Sequence, residues 1–293
     1  VRCFLNWCDR TYPKTKFLNQ VMIDTWCTKR DTEKNISHAS RTLAVNAFLR
    51  YMNGRGEGPF EYTLHGEIEK SPEPVLFDYE EVKNFFRAVD ELEYKENCYL
   101  PYPRYQSKLK CMIAPAIFRL IYSTGMRPNE ARWLDCKDVD LERNVIYIRK
   151  SKGYHERIIA LHESTAMMLR QYNELMSKEM PGRKVFFPND KDHYRDSYYI
   201  RTIFNRCWYK YNKKTSDRNV VVYSFRHNYA VQNILSWKHT GYDFDMNLLA
   251  LCKSMGHQRP ESTLYYFHLV PQLADMLEDI EGDSICEILP DIL

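Results

Sequence analysis

Leu251 to His268 reads LCKSMGHQRPESTLYYFH. An apolar helical segment runs into this stretch and stops at Gly256, because glycine takes the left-handed turn that ends many helices. His257 follows at once. Pro260 and Glu261 suit the first turn of another helix, which carries Tyr265 and Tyr266. His257 and Tyr266 lie nine residues apart on opposite sides of a helix start, where both can converge on one anion. Most tyrosine pairs are packing residues with a wet hydroxyl, so this reading needs arginines elsewhere to complete the site.

Two arginines in the chain stand where they could do so. Ser224 opens SFRHNYA as a plausible N-cap, which puts Arg226 in the first turn of a helix running to Trp237, where backbone N–H groups already favour an anion. Further back, Ile113 to Thr124 is a strongly apolar helix with Pro115 near its start and Gly125 at its end. Arg127 falls in the turn that follows, before a helix opening PNEARWL. An arginine that merely caps carbonyls would look the same there. Between the two arginines, Asn144–Ile148 and Arg157–Leu161 alternate as strands of a hairpin with Lys152 at its tip. Most hairpin-tip lysines are merely solvated.

The remaining segments fill in the architecture. Residues 1–55 read as all-helical: Phe17, Val21, Trp26 and Cys27 repeat at roughly helical spacing, as do Leu43, Val45, Phe48, Leu49 and Met52. Arg30, Lys34, Arg41, Arg50 and Arg55 make this bundle basic. Residues 57–75 hold three prolines and no helical period, which reads as a linker. Asp78-Tyr79-Glu80-Glu81 has a capping-box pattern before a helix through Val89. Residues 94–106 read as a loop, residues 162–178 as an amphipathic helix, and Val185–Pro188 as a short buried segment. Ser197–Tyr211 reads as a helix in which Arg201, Arg206 and Lys210 alternate with Tyr198, Tyr199 and Trp208, a mixture suited to a DNA backbone and equally to a solvated face.

Length and charge set the bounds. The chain has 293 residues, room for one large or two ordinary domains. No run of about 18 apolar residues exists, so no membrane span is expected, and no signal-peptide pattern opens the chain at Val1. Nine cysteines without a C-x-x-C pair point to free thiols in a reducing cytoplasm, not to a disulfide frame or zinc site. The formal charge is +3, but Gln272–Leu293 holds seven carboxylates and no Lys or Arg. Residues 1–271 therefore carry 42 basic against 32 acidic side chains, a charge of +10. A basic body with an acidic tail suits a nucleic-acid partner, although an ordinary solvated surface gives the same count.

Arg127, Lys152, Arg226, His257 and Tyr266 form a chemically coherent group. Two arginines grip a phosphate's non-bridging oxygens, and a histidine adds a third donor. A lysine can protonate a leaving alkoxide, and a tyrosine can attack phosphorus. No carboxylate cluster suggests Mg²⁺ and no glycine-rich phosphate loop is present. The parts suit phosphoryl transfer through a phosphotyrosine with no metal and no cofactor.

The segments TGMRPNEARWL, SKGYHERIIAL, SFRHNYA and MGHQRPESTLYYFH, in this order, resemble the tyrosine recombinases of the phage-integrase family. The resemblance spans roughly Leu76 to His268, and residues 1–55 are similar to the family's helical core-binding domain. It implies a mainly α fold with a small antiparallel β-sheet (α+β). Residues 1–56 would be a SAM-like core-binding domain, 57–75 a linker, and 76–293 the catalytic domain with a tail from 272. It implies two domains clamping duplex DNA, a dimer on each site, and a tetramer in synapsis.

By resemblance, Arg127 and Arg226 are the catalytic arginines and Glu130 the carboxylate supporting the first. Lys152 is the general acid, with Lys150 as the alternative in a shifted register. His257 is a further phosphate donor, Tyr266 the nucleophile, and His268 a supporting residue. Arg41, Arg50, Lys150, Arg201, Arg206 and Lys210 are the expected DNA contacts. Tyr223 departs from the pattern, since the family usually carries histidine three residues before the second arginine. Tyrosine there still offers a hydroxyl to the phosphate or to Tyr266, but with a reference pKa of about 10 it is no imidazole-like base. The tail's Leu273, Met276, Leu277 and Ile280 follow helical spacing, and in the resembling family such a tail often docks on a neighbouring protomer. A type IB topoisomerase or a non-catalytic DNA-binding paralogue are the alternatives.

Overall fold

The computed structural model describes residues 1–61, 74–92, 104–149, 156–214, 218–237 and 243–269. The chain divides into two compact units, Val1–Pro72 and Glu73–Leu293. Lys150, Lys152 and the tail from Gln272 lie outside the described residues, as does the side chain of His268.

The first unit contains three helices, α1 (Arg2–Thr11), α2 (Gln20–Cys27) and α3 (Asn35–Gly54). Each buries one stripe: Phe4 and Cys8 from α1, Met22, Ile23 and Cys27 from α2, Val45 and Leu49 from α3. Phe17 falls before α2 and is exposed, as is Val21, so the helical spacing assigned to them does not lead inward. Asn19 caps α2 by accepting from the Met22 N–H at 3.1 Å. Asn53 exchanges two hydrogen bonds with the Phe60 backbone, at 2.8 and 2.9 Å, so the first residues of the expected linker fold back onto the bundle.

The second unit opens with α4 (Tyr79–Asp90), whose capping box forms as the sequence suggests: Asp78 accepts from the Glu81 N–H and Glu81 accepts from the Asp78 N–H. Helix α5 (Arg104–Thr124) is longer than expected, and Pro115 sits inside it, not near its start. Proline removes one helical hydrogen bond and costs about 3 kcal/mol in a helix interior. Full burial of Ile113, Ile117, Phe118, Leu120 and Ile121 along the same helix offsets that loss. Residues 104–106, expected in a loop, are its first turn.

Gly125 ends α5 with φ +61°, and α6 (Pro128–Arg132) starts two residues later. Strands β1 (Val139–Asp140), β2 (Val145–Ile148) and β3 (Arg157–Ala160) form an antiparallel sheet in that order, with Ile148 opposite Arg157. The hairpin was legible, whereas the two-residue β1 was not. Helices α7 (Glu163–Glu179) and α8 (Ser197–Tyr211) complete the main core, in which Phe85, Phe118, Phe204, Trp208 and Phe225 pack ring against ring.

A second cluster joins α9 (Ser224–Ser236), α10 (Phe244–Met255) and α11 (Glu261–Leu264), which continues as a 3-10 turn over Tyr265–Leu269. Ser224 is the first residue of α9 and Tyr223 takes the cap position, because Val222 and Tyr223 already form the preceding turn. Tyr265 and Tyr266 thus ride on the 3-10 turn after a short helix, not on the helix itself.

Candidate active site

The site is built on two helix ends. Gly125 and Gly256 both sit in left-handed backbone, at φ +61° and +64°, and turn the chain sharply after α5 and α10. Arg226, from the first turn of α9, reaches both ends. Its Nη1 donates to the Gly125 carbonyl at 2.8 Å and its Nη2 to the Met255 carbonyl at 2.6 Å. Carbonyls at helix C-termini carry partial negative charge, so a guanidinium is well placed between them. The side chain is fully buried and its Nε has no hydrogen-bond partner. Burial and then the positive charge of Arg127 depress its pKa.

Arg127 caps α6. Its N–H donates to Glu130 Oε2 and its Nη1 to Glu130 Oε1, both at 2.9 Å, while Nη2 lies 3.4 Å from the Gly256 carbonyl oxygen. Glu130 is buried and also takes Arg157 from β3 in a two-pronged bond of 2.6 and 3.0 Å. Burial raises the Glu130 carboxyl, but Arg157 and Arg127 outweigh it and hold the group at about 2. Arg157 closes the frame by donating to the Ser254 carbonyl at 2.7 Å. The expected supporting carboxylate therefore orients Arg127. Arg157, which the sequence shows only as one residue of a strand, holds that carboxylate.

His257 lies just past Gly256, its Nδ1 2.7 Å from the Thr263 hydroxyl. Cys252 Sγ donates to that hydroxyl oxygen at 3.0 Å. The Thr263 proton is then available to Nδ1, which leaves the His257 Nε2–H as a donor. Burial, followed by the charges of Arg226, Arg127 and Arg157, pushes His257 down to about 4, so it is a neutral imidazole near pH 7. A cavity of about 470 Å³ lies beside it, lined by Glu156, Arg157, Ile158, Lys253, Gly256, His257 and Gln258. The larger cavity around Asp135, Arg183 and Tyr194 includes none of the candidate residues.

Tyr266 is 4% exposed, and its ring lies nearly parallel to His257, 6.4 Å between centroids. Its hydroxyl is 3.1 Å from Nδ1 of His227. Burial raises the phenol to about 12 against the lowering pull of Arg226. Tyr265 is 44% exposed, and its ring lies 6.0 Å from the Tyr266 ring. Tyr223 is exposed and packs edge-on against His227 at 5.1 Å. The bond to Tyr266 that sequence offered to Tyr223 is made by His227, one helical turn further along. His227 went unnoticed because nothing local marks it: its partner lies 39 residues away. Burial and then Arg226 push its imidazole down to about 4.

The structure thus gathers Arg127, Glu130, Arg226, His257 and Tyr266, with Tyr223 at the margin. The expected DNA contacts are more dispersed. Arg41 is engaged inside the first unit, donating to Glu33 at 2.5 and 2.9 Å and to the Trp26 and Thr28 carbonyls, an internal tie and not an open phosphate contact. Arg50, Arg201 and Arg206 are exposed. Arg201 lies over the Tyr198 ring, and Lys210 is ion-paired with Glu91 at 2.6 Å. Among the described residues, no group of three or more His, Cys, Asp or Glu is placed to hold a metal ion, and no helix is long and apolar enough to cross a membrane.

The phage integrase family model matches residues 104–272, which include all of the gathered groups, and the chain belongs to that family as a tyrosine-type site-specific recombinase. It is 31% identical over 255 residues to the tyrosine recombinase XerA of Saccharolobus solfataricus, covering 86% of this chain and 68% of that protein. Identity to the tyrosine recombinase XerC of Roseiflexus castenholzii is 26%, covering 79% and 67%. An integrase/recombinase of Methanocaldococcus jannaschii is matched over 48% of its own length, so the chain spans between about half and two thirds of these relatives. The Tn1549 transposon integrase, solved with a circular intermediate DNA, superposes with a TM-score of 0.63 at 15% identity, covering 96% of this chain and 93% of that one. XerH, solved with a palindromic difH substrate after cleavage, gives 0.60 at 18%, covering 95% and 76%. At these identities the structural likeness speaks for the fold.

Proposed function

We propose that the chain cuts and rejoins duplex DNA through a covalent 3′-phosphotyrosine at Tyr266, in the service of a mobile element. The observation that carries this reading is the placement of the Tyr266 hydroxyl, buried beside two neutral imidazoles and within the field of Arg226 and Arg127. Tyr266 Oη attacks the scissile phosphorus and the 5′-oxygen leaves. Attack by a partner strand's 5′-hydroxyl reverses the step on new DNA. Each exchange replaces one phosphodiester by another, so no external energy source is needed.

In this mechanism Arg127, oriented by Glu130, and the His257 Nε2–H donate to the phosphate's non-bridging oxygens as charge builds on them. Arg226 acts through its charge in the free chain and gains direct contact when bound DNA opens its cover. Lys152 protonates the leaving 5′-oxygen. The exposed Arg50, Arg201 and Arg206 contribute phosphate contacts, and affinity falls as salt rises. Duplex DNA and further copies of this chain, a dimer on each site and a tetramer in synapsis, are the partners. Its similarity to tyrosine recombinases and its likeness in fold to the transposon integrase support the reading.

A nicked suicide duplex tests it, built on inverted repeats flanking the gene or on sites selected from random DNA. The wild-type protein should accumulate a covalent adduct without added metal, and Tyr266→Phe should bind the same DNA and form none. Adducts that persist in Tyr266→Phe would overturn the assignment. Relaxation of supercoils by a monomer, without strand exchange between paired sites, would favour topoisomerase chemistry instead.

A further inference from the structure

We infer that His227 is a catalytic residue of this site, the acceptor that orients the Tyr266 hydroxyl through Nδ1 and takes its proton as the tyrosine attacks phosphorus. The inference rests on the strand-transfer reading above and adds to it the identity of the base.

The observations come from three elements. Tyr223 stands where the resembling family usually has histidine, and its ring is exposed against the face of His227. His227 lies four residues on, on the same side of α9, since residues four apart share a helix face. It faces Tyr223 and Arg226 from its own helix, Tyr266 from the 3-10 turn, and His257 from the α10–α11 turn. Among these groups only its Nδ1 is within hydrogen-bond distance of the Tyr266 hydroxyl, at 3.1 Å. A phenol proton buried to this degree needs an acceptor, and a neutral imidazole with its proton on Nε2 supplies one. Burial, and then Arg226 beside it, keep the ring neutral before DNA binds. A bound phosphate then brings negative charge to the two arginines, which relieves the repulsion and raises the basicity of the ring as the phenol gives up its proton.

The step balances. The Tyr266 Oη–P bond forms as the P–O5′ bond breaks. The phenol proton passes to His227 Nδ1, and the leaving 5′-oxygen takes a proton from the Lys152 ammonium or from water. In the rejoining half, the attacking 5′-hydroxyl gives its proton back to the Lys152 amine or to the hydroxide left in the first half, and His227 returns one to the departing phenolate.

Single-turnover adduct formation on the suicide duplex, followed from pH 5 to 9, tests the inference with the full chain. His227→Asn keeps an acceptor near the position of Nδ1 but cannot take up the proton. We expect it to bind the duplex like wild type and to form adducts about a hundredfold more slowly, as for a lost general base. The wild-type rate should rise with pH through an imidazole ionisation that His227→Asn lacks. A duplex with sulfur at the 5′-bridging position should restore Lys152→Ala but not His227→Asn, because only the former defect lies at the leaving group. A His227→Asn variant with wild-type rate and pH profile, or one rescued by sulfur as fully as Lys152→Ala, overturns the inference while leaving Tyr266 as nucleophile. Absence of a Tyr266 adduct in wild type defeats the strand-transfer reading itself. Independently of activity, ¹⁵N spectra of the free protein should show His227 Nδ1 unprotonated and shifted in Tyr266→Phe; a protonated Nδ1 in wild type would also overturn the assignment.

Discussion

Glu130 holds Arg157 with both carboxylate oxygens, at 2.6 and 3.0 Å, deep enough that neither side chain meets much water. The same carboxylate orients Arg127, so that arginine is aimed by an ion pair reaching across to the sheet. Removing one member of a buried pair leaves the other uncompensated, which costs about 3–5 kcal/mol. Glu130→Ala is therefore expected to lower the unfolding free energy of the catalytic unit by roughly that amount in urea titrations. Adding Arg157→Met should recover part of the loss, because an apolar replacement removes the stranded charge.

Tyr265 and Tyr266 are neighbours in sequence but not in environment. Tyr265→Phe should leave adduct yield within about twofold of wild type, since its ring is exposed and lies beside that of Tyr266. Mass mapping of the DNA-linked peptide should place the nucleotide on Tyr266. A label on Tyr265 would shift the nucleophile by one residue.

Gly125 and Gly256 test the helix-end frame. A Cβ at Gly125 would come within 2.3 Å of the Tyr229 ring, and one at Gly256 within 3.0 Å of Arg157 Nη1, each at positive φ. Alanine at either position should destabilise by about 1–3 kcal/mol. Gly125→Ala carries the larger effect, because an aromatic ring yields less readily than the end of an arginine. It should also reduce cleavage by displacing the carbonyl that holds Arg226. Thermal denaturation and the suicide-substrate assay read the two effects separately.

Acid should weaken the protein in two successive windows. His227 and His257 sit at about 4 in the fold against an ordinary 6.5, so the unfolded chain binds their protons first. Stability is full above pH 6.5 and falls as pH drops toward 4. Glu130 sits at about 2 against an ordinary 4.5, so its contribution is present above 4.5 and is lost as pH falls toward 2. His257→Asn should flatten the dependence of unfolding free energy on pH in the upper window alone; an unchanged slope there would contradict the buried neutral state.

Legibility in the sequence followed the range of the interaction. Gly125, Gly256, Pro128 and the Asp78–Glu81 box act on their own turn of chain, and each performs where the sequence put it. Pro115 misled because its local signal marks a helix start, while the buried stripe around it sustains a longer helix. Ser224 misled likewise, since the residues before it were already turning. Phe17 and Val21 carry helical spacing without a core to meet. In the site, Arg127, Arg226, His257 and Tyr266 could be named because their spacing matches a family pattern. His227 and Arg157 could not, because what distinguishes them is a partner brought close only by folding.

The two carbonyls gripped by Arg226 belong to Gly125, the residue that follows α5, and to Met255, the last residue of α10. A carbonyl's direction changes by about 100° with each residue added to a helix. Lengthening or shortening either helix by a single residue would swing one oxygen away from the guanidinium, even if every side chain in the core were repacked to suit. The arginine therefore acts as a gauge of helix length, fixing where two separate helices must end. A loop graft that preserves both ends should be tolerated where a one-residue helix insertion is not.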